Sequence, residues 1–290
     1  MSELEYDVAV AYRTYPKVSK VPPIYNDDKY KLSDLCLKTF KDSLGSLKVK
    51  MFALLDNCPP EYEELFKKHF DETDLELIKL NGVGNRATFD MQVKILLEQN
   101  FSEIVYFAED DYVYTPKKFE SMIQLMKKNK EVDFISPYDH PGYYTMYIHQ
   151  YDSSIKCFDD RHWRTVATTC LTFLTTKTKL KKTKKVFKTY TKGNMDVGIW
   201  LSLTKRQVFN PSTFFKQLLG KNNTEQFEKY IIVSSWYFCW WQILFGKRWK
   251  LWVPIPSIAT HMEINYLAPT FDWLRDPIEV QKFLKFNMSH

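Results

Sequence analysis

The stretch Glu103–Tyr114, EIVYFAEDDYVY, decides how the chain is read. Ile104 to Ala108 is an unbroken apolar run, the pattern of a strand buried on both faces. It stops at three consecutive acids, Glu109, Asp110 and Asp111. Carboxylates that close repel one another unless positive charge holds them. A strand that leaves the core straight into three acids raises the question of which cation they face.

Upstream, strands alternate with amphipathic helices. YDVAVAYRTYP (Tyr6–Pro16) reads as a first strand, and KLSDLCLKTFKDSL (Lys31–Leu44) as a helix with Ser33 as N-cap. VKMFALLD, ending at Asp56, is the second strand. PEYEELFKKHF follows as a helix with Tyr62, Leu65, Phe66 and Phe70 on one stripe. LELIKL is the third strand, NGVGN a turn, and RATFDMQVKILLEQN a helix with Phe89, Val93, Leu96 and Leu97 on one face. EIVYFAEDD is the fourth strand, and TPKKFESMIQLMKKN a helix capped by Thr115 with Pro116 in its first position.

Strands separated by single helices predict an α/β fold, a mostly parallel central sheet flanked by helices. Ligands of such sheets bind outside the carboxyl ends of the strands, so Asp56 and the acidic triplet share one rim. The second half is less regular. DFISPYDHPGYY, WRTVATTCLTFLTT and WKLWVPIPSIATHME read as strands, and IIVSSWYFCWWQILF (Ile231–Phe245) as a buried helix too short to span a membrane, with peripheral membrane contact as the alternative. No linker or repeat divides the halves, so residues 1-290 are expected to form one compact domain.

Composition narrows the function. Of the 290 residues 16% are aromatic, which suits sugar-binding surfaces as well as an ordinary core. The net charge of +6 comes largely from KTKLKKTKKVFK (Lys177–Lys188). No aromatic or Gly-rich readout motif accompanies it, so nucleic acid is not an expected partner, and a solvated face or an anionic partner is. Five scattered cysteines without a CxxC pair point to reduced thiols. An acidic start that enters a strand at once is not a signal peptide, so a cytoplasmic setting is expected. The sequons at Asn100, Asn222 and Asn287 then read as chance matches.

A hard divalent ion, Mn²⁺ or Mg²⁺, would settle the crowding of the triplet, taking one or two carboxylates and the phosphate oxygens of a substrate. The chain has neither a P-loop nor a GxGxxG after its first strand, so phosphate charge would be met by that ion. Arg86, at the start of a helix, would meet phosphate beside the helix amides, or Asn85 would simply cap that helix. His261, two residues before Glu263, is a candidate late metal ligand or diphosphate contact, with Glu263 as a substitute. Asp196 in GNMDVGIW is the candidate general base for an acceptor hydroxyl; the competing reading makes it a helix cap whose pKa the helix end depresses. DHPGYY (Asp139–Tyr144) and DDRHWR (Asp159–Arg164) mix aromatics and polar groups as sugar sites do, or are surface loops, and the pair His140 and His162 lacks metal spacing.

The succession AYRTYP, the strand ending in Asp56, NGVGNRATFD and FAEDD resembles the GT-A-type glycosyltransferases, whose acidic DxD motif carries the ion that binds a nucleotide sugar. VATTCLTFLTT, GNMDVGIW and IATHMEINYLAP look like the acceptor half of the small glycosyltransferases of large algal viruses, the chlorella-virus xylosyltransferase type in particular. The resemblance implies a GT-A fold with residues 1-130 as the nucleotide-sugar-binding half and 131-290 as the acceptor-binding half. It makes Asp111 the metal-binding acid, Glu109 or Asp110 the ribose contact, Asp56 the uracil contact, and Tyr12 and Arg13 base and phosphate contacts. Glu109 stands where many relatives have Asp. The implied activity is metal-dependent, inverting transfer from a UDP-sugar, UDP-xylose among them, to an oligosaccharide or glycoprotein glycan, in a host cytoplasm if the protein is viral. The alternatives are a non-catalytic glycan- or nucleotide-binding module and a nucleotidyltransferase.

Overall fold

The computed structural model describes residues 5–18, 20–209 and 223–273, the backbone alone for 223–229. The sequons at Asn222 and Asn287 lie outside them, as do residues 1–4 of the acidic start. The first half follows the expected alternation: β1 (Val8–Thr14), α1 (Lys29–Leu44), β2 (Val49–Asp56), α2 (Glu61–His69), β3 (Leu75–Leu80), α3 (Asn85–Glu98) and β4 (Ile104–Glu109). β3, β2, β1 and β4 lie side by side in that order, all parallel. Helices α1 and α2 pack on one face of this sheet, through Val10, Tyr12, Met51 and Ala53, and α3 on the other, through Ala9, Ala11, Phe52 and Phe107. That change of face is what right-handed crossovers require when the strand order reverses, as it does between β1 and β4.

After β4 the chain turns through Asp110 and Asp111 into β5 (Tyr112–Tyr114), then α4 (Phe119–Lys128), β6 (Phe134–Ile135), the one-turn α5 (Gly142–Thr145), β7 (Ile155–Phe158), β8 (Arg161–Val166) and β9 (Phe173–Thr176). It continues through α6 (Lys177–Phe187), a 3₁₀ turn at Lys188–Lys192, α7 (Asp196–Thr204), α8 (Asn223–Phe245), β10 (Leu251–Ile255) and β11 (Ala259–His261). Among the described residues the sheet grows to nine strands in the order β3-β2-β1-β4-β9-β6-β10-β8-β7. Only β9 and β8 run against the rest, so it is mixed but mostly parallel. Both halves of the sequence contribute, because β9 pairs directly with β4. The stacked rings of Phe107 and Phe173, 4.4 Å between centroids, lie across that seam. β5 and β11 form a separate antiparallel pair that sets His261 opposite Tyr112.

Several local expectations are corrected. α1 is capped by Asp28, whose carboxylate accepts the Lys31 N–H at 3.0 Å; Ser33 is buried inside the helix. α3 has Gly84 as N-cap, and Asn85 is its first residue. α4 begins at Phe119, and Thr115 bonds instead to the Ile258 carbonyl. WRTVATTCLTFLTT splits into β8 and β9, which lie on opposite sides of β6 and β10. The helix expected to be buried at Ile231–Phe245 hides Ile231, Ile232, Cys239 and Ile243 and exposes Val233, Tyr237, Trp240 and Leu244. All five cysteines are free thiols, and among the described residues no helix is long and apolar enough to cross a membrane.

Candidate functional site

The reversal of strand order leaves a crevice beyond the carboxyl ends of β1 and β4, the place where open α/β sheets bind ligands. A cavity of about 540 Å³ opens there. Its walls are Arg13, Thr14 and Tyr15 at the end of β1, Asp56 and Asn57 at the end of β2, Gly82, Gly84, Asn85 and Thr88 at the start of α3, and all three acids of the triplet.

Each acid meets a basic side chain of the protein itself. The Arg13 guanidinium pairs with Glu109, and also donates to the Asn85 side chain; the second Glu109 oxygen accepts from Thr172 Oγ1 at 2.7 Å. Asp110 points the other way, toward α1, and accepts from Lys29 Nζ at 2.9 Å, from the Tyr15 N–H at 3.1 Å and from Ser33. Asp111 faces His261, with 3.0 Å between Oδ2 and Nε2, and His261 Nδ1 lies 3.5 Å from Glu263. The other Asp111 oxygen, Oδ1, is buried and has no hydrogen-bond partner among the described residues.

The electrostatics separate the two aspartates. Burial raises the pKa of Asp110, with Lys29 opposing it and the charge of Asp111 adding to it. Burial acts on Asp111 as well, but the His261 imidazole, with Lys29 and Arg13 behind it, holds that carboxyl well below the ordinary carboxylate range. Two like charges side by side are driven apart in this way. Burial works to discharge His261, and the neighbouring Asp111 outweighs it and raises the imidazole pKa.

Asp56 is almost fully buried, and each of its oxygens accepts one backbone N–H, from Val83 and from Gly84, both at 2.8 Å. It fixes the turn that forms the cavity wall and keeps further lone pairs for a ligand N–H. Tyr12 stands apart: its ring packs among Phe40 and Phe66, and its buried hydroxyl has no partner among the described residues and a strongly raised pKa. Arg86 is exposed on the first turn of α3, near Tyr190, whose pKa burial raises and the Arg86 charge opposes; the Tyr190 hydroxyl accepts from Asn85 at 3.2 Å.

Asp196 occupies the first position of α7 rather than its cap, which is Met195. Its Oδ1 accepts the adjacent Val197 N–H at 2.8 Å. The expectation of a depressed pKa is overturned: burial comes first among the causes and raises it, and the charge of Glu109 adds to that. A carboxylate whose proton affinity is raised is better suited to take a proton than a pure helix cap.

Sequence reading missed Lys29, Thr172 and the Asn85–Arg13 contact. Lys29 had no local signal, lying in a polar segment 81 residues from its partner. The two polar stretches singled out in the second half are not surface loops: they lead into α5 and β8, and an ion pair joins them, Arg164 to Asp139 at 2.8 Å, with the guanidinium 4.2 Å above the Tyr144 ring. His140 packs beside this pair against Tyr138 and Tyr266, whereas His162 contacts Cys157.

Among the described residues no group of three or more His, Cys, Asp or Glu side chains converges as a ready-made metal site. Asp111 and His261 nevertheless fit a divalent ion that takes few protein ligands, because the orphaned Oδ1 is a buried acceptor in the cavity wall. No family model matches the chain, and no curated protein matches it. Among solved structures it is similar to a mannosyltransferase from Pyrobaculum calidifontis in complex with GDP-Man and Mn²⁺, with 13% identity and a TM-score of 0.32 over 46% of this chain. It spans only 36% of that protein's length. S. aureus TarS 1-349 aligns with 10% identity and a TM-score of 0.46, over 79% of this chain and 70% of its own. The same protein in complex with UDP gives 12% identity and 0.42, over 67% of this chain and 54% of its own. At these scores none of them carries an activity over to this chain.

Proposed function

We propose that the chain is a metal-dependent glycosyltransferase that moves a sugar from a UDP-sugar to a hydroxyl of an oligosaccharide or glycoprotein glycan. The observation that supports this reading most is the unpartnered, buried Oδ1 of Asp111 in the wall of a cavity at the strand-order reversal, with His261 on the same carboxylate. Asp111 and His261 would hold Mn²⁺ or Mg²⁺. The bound ion would neutralise the charge that develops on a diphosphate leaving group.

The chain's own residues supply the rest. Asp56 offers its remaining lone pairs to a uracil N–H, at the turn it already holds. Glu109 and Asp110, fixed by Arg13 and Lys29, border the ribose. Arg13 and Arg86 contribute positive charge near the diphosphate, and Asp196 takes the proton of the acceptor hydroxyl. Direct displacement by that hydroxyl inverts the anomeric centre, which proton NMR of the product would read. Residues 1-130 serve the donor and 131-290 the acceptor, with the Asp139–Arg164 cluster on the acceptor side. UDP-xylose heads the donors to be tested because of the sequence resemblance.

The deciding experiment is UDP release across a panel of UDP-sugars with Mn²⁺ and with EDTA. Release from at least one donor, abolished by EDTA, is the expected result. Metal-linked UDP uptake without any turnover would make the chain a binding module instead. Neither uptake nor release by folded protein would overturn the proposal.

A further inference from the structure

The exposed face of α8 is apolar. Tyr230, Val233, Tyr237, Trp240 and Leu244 recur every three or four residues, a spacing that persists through a kink at Cys239. Their exposures run from 48% to 77%, and Phe245 at the helix end reaches 80%. The opposite face is the one sunk into the core. Burying one face while a second apolar face stays in water is not how a solvent-facing helix is built, and a contiguous apolar strip marks an interaction surface.

The surroundings select the occupant. The segment Lys177–Lys192 carries eight lysines and no acid. Its last turn packs against the middle of α8: Thr189 Oγ1 lies 3.7 Å from Cys239 Sγ, and Ser234 Oγ donates to Asn194 just beyond. Lys182, Lys184, Lys185 and Lys188 are exposed along this run. Lys247 and Lys250 follow the far end of α8, although these two have acidic partners in Asp133 and Glu131. Tyr and Trp favour the boundary between water and lipid, and flanking lysines attract anionic headgroups. A second copy of the chain is the poorer occupant, because stacking α8 on α8 would bring two lysine runs together.

We propose that this face seats the protein on an anionic lipid bilayer, with α8 lying in the headgroup plane and the lysine run beside it. Apolar area supplies the insertion and the lysines the selectivity for negative charge. The proposal stands whether or not the cavity binds a sugar nucleotide.

The test sediments the full chain with vesicles of phosphatidylcholine alone and of phosphatidylcholine mixed with phosphatidylserine. Affinity for the mixed vesicles should exceed that for the neutral ones by at least about tenfold. Tyr237→Ser/Trp240→Ser and, separately, Lys184→Glu/Lys185→Glu should each reduce it by about tenfold or more, with far-ultraviolet circular dichroism unchanged because all four side chains are exposed. Equal binding to both vesicle types, or binding that the stripe variant leaves undiminished, overturns the proposal. A dimer in light scattering that only the stripe variant breaks, with no vesicle binding, assigns the face to a second copy and overturns it too.

Discussion

Asp111 and His261 are 150 residues apart in the chain and 3.0 Å apart in space. The contact exists because β11 lies antiparallel on β5 with His261 opposite Tyr112, the residue after Asp111. One oxygen of the carboxylate is thereby committed to the imidazole, and the other is left buried without a partner among the described residues. An unsatisfied buried acceptor is costly unless something occupies it at some stage of the working cycle.

Replacing that acceptor tests its purpose. Asp111→Asn keeps the shape and a hydrogen-bonding oxygen but removes the charge. It should weaken Mn²⁺-dependent UDP binding by at least about tenfold, ~1.4 kcal/mol, in titration calorimetry. A variant that still binds UDP in Mn²⁺ as tightly as the parent would take Asp111 out of the donor site.

Asp196→Asn separates chemistry from binding. Donor affinity should remain, and transfer should fall by about 10²–10⁴-fold, the usual contribution of a general base. A stability signature accompanies it. The folded-state pKa of Asp196 is raised, so ionising it disfavours the fold above that pKa, while below the unfolded value both states are protonated and the effect vanishes. The Asn variant should therefore melt higher than the parent at neutral pH, and the difference should close as pH falls into the ordinary carboxylate range. Full activity together with an unchanged melting profile would reduce Asp196 to a structural residue.

The rim was legible in the sequence because an apolar run that ends in charge marks a strand end, and alternating helices fix on which side of the sheet that end falls. Asp56, Arg13 and the triplet reach one cavity for that reason. What answers the triplet's repulsion was not legible. Lys29, Arg13 and His261 arrive from three separate elements, and only strand register and helix packing bring them within reach. The second half was harder for a related reason. β6 has two residues and β11 three, too short for periodicity to register, and from Ile231 to Phe245 α8 carries apolar residues on both faces, so its pattern concealed which face meets the core.

The pair of Lys29 and Asp110 should behave as a coupled unit. Both side chains are nearly buried, at 9% and 12% exposure, and 2.9 Å apart. Removing one partner strands the other charge, so Lys29→Met should cost about 3–5 kcal/mol in urea unfolding. The double variant Lys29→Met/Asp110→Asn should recover much of that loss, since no uncompensated charge remains. Additive losses in the double-mutant cycle would show that the two residues act separately.

Gly84 offers the last test, because its backbone and not its contacts governs the turn that Asp56 holds. Its φ of 82° and ψ of 168° lie in a region open essentially to glycine, and this conformation aims its N–H at Asp56 Oδ2, 2.8 Å away. A methyl group built there would meet nothing within 4 Å, so Gly84→Ala introduces backbone strain without a clash. The expected cost is about 1–3 kcal/mol in unfolding free energy. If Asp56 and its turn form the base-binding wall, UDP affinity should drop in the same variant, as the strain is relieved by swinging the amide off the carboxylate. Asp56→Asn, which keeps one acceptor oxygen and leaves Gly84 alone, should also lower UDP affinity. A Gly84→Ala protein that loses stability yet binds UDP as before would confine this turn to a structural role and move the base elsewhere in the cavity.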